Sequence, residues 1–144
     1  MSHYRGQMDV WDVVNEAVSD KNNSLRAEIK NSPNPEKLAA NIKRLNGLGL
    51  EVQITETDRK ISDGNGTLTQ GLAPQSDLYR NMMQVCLTAQ NCKRFSLWGV
   101  NDGYSWLPQF FKKPNAPLVF DELSRPKPTY DALMEVLGKS ELCS

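Results

Sequence analysis

Apolar residues gather in three short runs, each separated from the next by polar stretches and by segments of helical period. In residues 10–16, Val10, Trp11, Val13 and Val14 are nearly continuous and β-branched or aromatic, the pattern of a strand buried on both faces of a parallel sheet. Residues 19–34 are polar and read as loop with at most a short helical turn. Asn34-Pro35-Glu36 is a helix start, with Asn as cap and Pro at the first helical position. Leu38, Ile42 and Leu45 then form one apolar stripe, and Gly47 supplies the stop. Residues 50–56 alternate as a second strand. Residues 61–71 have loop composition, Pro74 opens a second helix with Leu78, Met82 and Val85 on one face, and residues 95–100 form a third strand. Residues 101–116 read as a loop rich in aromatics, and a third helix over 126–137 carries Leu133, Val136 and Leu137 inward. The order predicts an α/β fold of three parallel strands, each followed by a helix, with right-handed crossovers.

The chain has 144 residues, 39% of them hydrophobic and 24% charged, which suits one ordinary domain. Lys plus Arg and Asp plus Glu both number 17, so there is no net field to draw a phosphate backbone or an anionic membrane. Nucleic acid and membrane are therefore not expected partners. Mean hydropathy is −0.54, and no apolar run approaches the roughly 18 residues of a membrane span. The N-terminus lacks the basic start and apolar core of a secretory signal. A lone histidine, His3, removes zinc sites and Ser/His or Cys/His catalysis from consideration, so no metal or cofactor is expected. Of three cysteines, Cys86 and Cys92 have a spacing that admits either a local bridge or free buried thiols. What chemistry remains falls to carboxylates.

Function in parallel α/β folds sits where strands end, and Glu16 and Glu56 both stand at C-terminal strand tips. Taken singly, such glutamates are commonly just solvated or paired with Lys and Arg. As a pair on close strands they could meet the need of a retaining glycosidase for two carboxyl groups about 5 to 5.5 Å apart. Asn15 could hydrogen-bond a sugar hydroxyl, and Trp98 and Trp106 offer flat faces to a pyranose. Trp98, in a strand, reads first as core; Trp106, in a loop with Tyr104 and Phe110, reads first as functional. Asp58 either orients a neighbour or caps the following loop.

Trp11-Asp12-Val13-Val14-Asn15-Glu16-Ala17, Val52-Gln53-Ile54-Thr55-Glu56-Thr57-Asp58 and Trp98-Gly99-Val100-Asn101-Asp102-Gly103-Tyr104-Ser105-Trp106 closely resemble motifs of the glycoside hydrolase family 10 xylanases. Pro117-Leu118-Val119-Phe120-Asp121 and the stretch from Arg125 to Leu133 are similar to that family's closing segment, and all occur in family order. The resemblance implies a (β/α)8 TIM-barrel lineage and hydrolysis of internal β-1,4-xylosidic bonds by a retaining double displacement. It implies Glu16 as acid/base, Glu56 as nucleophile, Asn15 on the 2-hydroxyl, and Trp98 and Trp106 along subsites. It also implies a Cys86–Cys92 disulfide, xylan or xylo-oligosaccharides as partners, and an extracellular location.

The departures from the family are large. A complete barrel takes at least about 200 residues. The chain reads as a single truncated catalytic domain over 1–144, resembling strand four and strands seven to eight. A seam near residues 25–32 stands where strands five and six would be, and with them goes the histidine that normally holds the nucleophile. Two arrangements follow: the first strand pairs beside the second, or another chain fills the gap. Unpaired edges lead us to expect a homo-oligomer that completes the sheet or barrel. The alternative function is a catalytically impaired xylan-binding pseudoenzyme, or a fragment of a longer xylanase.

Overall fold

Helix α1, Pro35–Asn46, begins as its sequence dictates. Asn34 is extended and its side-chain oxygen accepts the Lys37 N–H at 3.0 Å, while Glu36 in the first turn and Lys43 and Arg44 in the last complement the helix dipole. Leu38, Ile42 and Leu45 are buried, each side chain contributing about 1.5–3 kcal/mol by leaving water. Gly47 caps the end in helical conformation, and the left-handed residue falls two places later at Gly49, φ 73°.

This computed structural model describes residues 10–14, 34–61 and 68–141. They fall into two units, one of Met1–Glu56 with Val85–Ser96, the other of Thr57–Gln84 with Leu97–Ser144.

In the first unit, strand β1 (Val10–Val14) pairs in parallel with β2 (Glu51–Thr57), and β3 (Cys92–Leu97) lies on the other side of β2. Val10 faces Glu51, Trp11 faces Val52, and Val14 faces Ile54, with an irregularity between Asp12 and Val14. Of the two arrangements that the shortened sequence allows, the first strand beside the second is the one adopted. Val52 and Ile54 are fully buried. Buried Asn91 fastens this layer: its amide donates to the carbonyls of Ile42 and Leu50, and its own carbonyl accepts the Val52 N–H at 2.8 Å. A Cys86–Cys92 disulfide, Cα–Cα 5.1 Å, closes the connection into β3.

The third strand and the second helix differ in their bounds from the sequence reading. The third strand runs 92–97 rather than 95–100, because Lys93 and Arg94 are exposed and give no apolar signal, while Trp98, Gly99 and Val100 turn out of the sheet. The second helix, α2 (Leu68–Thr88), begins ahead of Pro74 and carries it inside. Its first turn is exposed, so no stripe marks it, and Pro74, the seventh residue, cannot donate the backbone bond that an interior helical position normally makes. Gly71 admits this turn: a Cβ there would lie 2.5 Å from the Ile61 carbonyl oxygen.

In the second unit, α2 buries Gln75, Ser76, Leu78, Tyr79 and Met82. The predicted loop over 101–116 contains a 3-10 turn, Asp102–Tyr104, and a short helix α3, Leu107–Phe111. Helix α4, Pro128–Glu141, starts two residues later than expected, because Pro126 bridges to Phe120 in extended chain. Ala132, Leu133 and Val136 are buried, and Leu137 is half-buried. Among the described residues no helix is long and apolar enough to cross a membrane.

Candidate active site

Asn15 and Glu16 lie outside the described residues, β1 being described to Val14. Glu56, the penultimate residue of β2, is half-buried and has φ 56°, in the left-handed region that side chains seldom occupy. Backbone strain of this kind collects at functional sites.

At the end of β3 the chain leaves the sheet through Gly99, φ 121°, where a Cβ would meet Leu118 Cδ1 at 3.0 Å. Only glycine satisfies both the conformation and the approach. Trp98 is consequently 51% exposed rather than a core residue, and the reading that buried it is corrected. Asn101 fixes the next turn: its oxygen accepts the Gly103 N–H at 2.7 Å and its amide donates to Ser124 Oγ at 2.7 Å. Trp106 follows, 41% exposed, with its ring edge-on to Phe110 at 5.2 Å. Its indole N–H donates to Asp58 Oδ2 at 2.8 Å, so Asp58 orients a neighbour.

Beneath this aromatic surface lies a buried polar scaffold that the sequence reading missed. Lys127 Nζ pairs with Asp102 Oδ2 at 2.8 Å, and also donates to the carbonyls of Ala116 and Leu118. Asp102 Oδ1 accepts the Leu118 N–H at 2.8 Å. Gln75 donates to Ala116 O at 2.8 Å and accepts from Thr129, while the Tyr79 hydroxyl donates to Pro117 O at 2.7 Å. An irregular segment, 116–118, thus finds most of its partners in side chains, with the Arg59 N–H also donating to Pro117 O. Burial pushes the Asp102 carboxyl up and the Lys127 ammonium down, and in each case the partner's charge opposes the shift. Burial, then the nearby Asp58 and Asp102 carboxylates, raise the Tyr79 phenol, which stays a neutral donor. In the following turn, the Arg125 backbone N–H, aided by its guanidinium and the Leu123 N–H, holds Asp121 below the usual carboxylate range. Asp102 and Lys127 stand inside the family-like stretches 98–106 and 125–133, but no periodicity marks them as partners.

The family model of glycosyl hydrolase family 10 matches residues 1–32 and 27–136. An endo-1,4-beta-xylanase B from Thermotoga neapolitana is 29% identical over 203 aligned residues, covering 95% of this chain and 58% of that protein. An endo-1,4-beta-xylanase B from Neocallimastix patriciarum is 38% identical, over 77% of this chain and 12% of that protein. The crystal structure of native xylanase 10B from Thermotoga maritima superposes with a TM-score of 0.73 at 28% identity, covering 99% of this chain and 64% of that one. The chain therefore spans less than two thirds of the length of these relatives, and its α/β architecture is part of a TIM barrel. The segments that carry Glu56, the aromatic turn and the Lys127 scaffold all fall inside the matched residues, and the chain belongs to glycosyl hydrolase family 10.

Proposed function

We propose that this protein hydrolyses internal β-1,4-xylosidic bonds of xylan with retention at the anomeric carbon. The observation that carries the reading is the register of the sheet: β1 and β2 are parallel neighbours with Val14 opposite Ile54, and in the sequence Glu16 and Glu56 each come two positions later. Neighbouring strands lie about 4.8 Å apart, close to the carboxylate separation of about 5 to 5.5 Å that retention requires.

In the proposed reaction the Glu56 carboxylate attacks C1 and forms an ester bond to the sugar. The glycosidic C1–O bond breaks as the Glu16 carboxyl gives its proton to the departing oxygen. Glu16, now a carboxylate, takes a proton from water; the water oxygen bonds to C1, and Glu56 leaves as carboxylate. Asn15 holds the 2-hydroxyl, and Trp98 and Trp106 line subsites. The chemistry calls for no cofactor. A disulfide such as Cys86–Cys92 persists in oxidising compartments, which supports an extracellular place of action on a polymer too large to enter a cell.

The test is reducing-sugar release from xylan by the purified chain beside Glu56→Gln and Glu16→Gln. The expected result is release by the parent and loss of turnover in both variants, with unchanged melting. Release that survives either substitution overturns the assignment. Binding of xylo-oligosaccharide with no release would instead establish the pseudoenzyme.

A further inference from the structure

Trp106 has few restraints for a ring meant to present a fixed face. It precedes α3, is 41% exposed, and meets Phe110 along one edge at 5.2 Å. An indole so placed has other rotamers open to it unless a second point is held. That second point is Asp58, whose carboxylate accepts the indole N–H at 2.8 Å, a bond strengthened by the acceptor's charge. The backbone that carries Asp58 is itself anchored: the Arg59 N–H donates to Pro117 O, and the Ile61 N–H to Asn115 Oδ1 at 3.1 Å. Two residues on from Asp58, the Lys60 ammonium stands 4.5 Å over the Phe111 ring, so the same short segment grips both ends of the aromatic helix.

We propose that Asp58 is a positioning residue that fixes the plane of the Trp106 ring for a bound sugar, with the Lys60–Phe111 contact holding the far end of the same aromatic helix. The inference rests on the reading that Trp106 lines a xylo-oligosaccharide subsite, and its test separates the two. Full-length protein carrying Glu56→Gln, so that bound sugar is not cleaved, is titrated with xylohexaose. Asp58→Ala is expected to weaken binding about tenfold, the scale of one lost hydrogen bond to a charged group, whereas Asp58→Asn, which keeps an acceptor, stays within about twofold. In a Trp106→Phe background, Asp58→Ala should add no further loss. Unchanged affinity in Asp58→Ala, or an undiminished loss in the Trp106→Phe background, overturns the proposal.

The second readout needs no sugar: the fluorine resonance of 5-fluorotryptophan at position 106, assigned by its absence in Trp106→Phe. It should shift and broaden in Asp58→Ala and return towards the parent position in Asp58→Asn. If the parent fails to bind xylohexaose, the functional reading falls. The resonance then decides the placement of the ring alone, and an unmoved signal in Asp58→Ala overturns it.

Discussion

Both units bury apolar side chains, but the unit built on α1, β2 and β3 and the unit that carries α3 and α4 differ in how far buried polar pairing supplements that packing. In the first, Leu38, Ile42, Leu45, Val52 and Ile54 interlock as apolar side chains on regular elements, and buried Asn91 and a disulfide finish the joint. In the second, Lys127, Gln75 and Tyr79 hold the carbonyls of an irregular segment, Asp102 accepts its Leu118 N–H, and Thr129 braces Gln75. Apolar packing is tolerant of small changes and contributes through area removed from water. A buried polar scaffold depends on complete pairing, because each group left alone retains its desolvation cost. The aromatic surface with Trp98 and Trp106 stands on the second kind of support, so its geometry is specified by hydrogen bonds.

The largest expected effect follows from breaking that scaffold. Lys127→Met leaves the Asp102 carboxylate and two carbonyls buried without their cation, and unfolding in urea should show a loss of about 3–5 kcal/mol. Adding Asp102→Leu should recover part of it, since the uncompensated charge is gone; a further loss instead would mean that the pair contributes through attraction rather than mutual compensation.

Next comes the apolar unit. Ile42→Ala, at a side chain 1% exposed, should cost about 2–4 kcal/mol by transfer and cavity terms, read from the same urea midpoint. A cost below that of an exposed substitution would show that the α1 stripe is not packed as described. The disulfide is the smaller effect: Cys86→Ser with Cys92→Ser should lower stability by about 2 kcal/mol, as expected for so short a closed loop. Parent and double variant should converge under reducing conditions, and a difference that persists there would assign the loss to packing of Cys86.

The same contrast governs what the sequence made legible. Asn34, Pro35 and the Leu38, Ile42, Leu45 stripe announce α1 because capping and periodicity are local properties, and the structure places that helix at Pro35–Asn46. The alternation of residues 50–56 announces β2 for the same reason. The start of α2 was hidden because its first turn faces solvent and Pro74, which lies inside the helix, reads as a start, and Trp98 was misplaced because the turn at Gly99, not the hydrophobicity of tryptophan, decides its exposure. Lys127 and Asp102 escaped notice because a buried ion pair is a long-range match between residues 25 positions apart, with no local period to reveal it. Glu56 was visible as a strand-end carboxylate, but its left-handed backbone was not, since nothing in the residue type favours that conformation.

The most direct measurement is covalent trapping of the proposed nucleophile. Incubation with a 2-deoxy-2-fluoro-xylobioside bearing a good leaving group, followed by peptide mass spectrometry, should add one fluoro-xylobiosyl unit to the peptide containing Glu56 and should leave Glu56→Gln unmodified. A label on another carboxylate, or hydrolysis of xylan with no trapped ester at Glu56, would contradict the account.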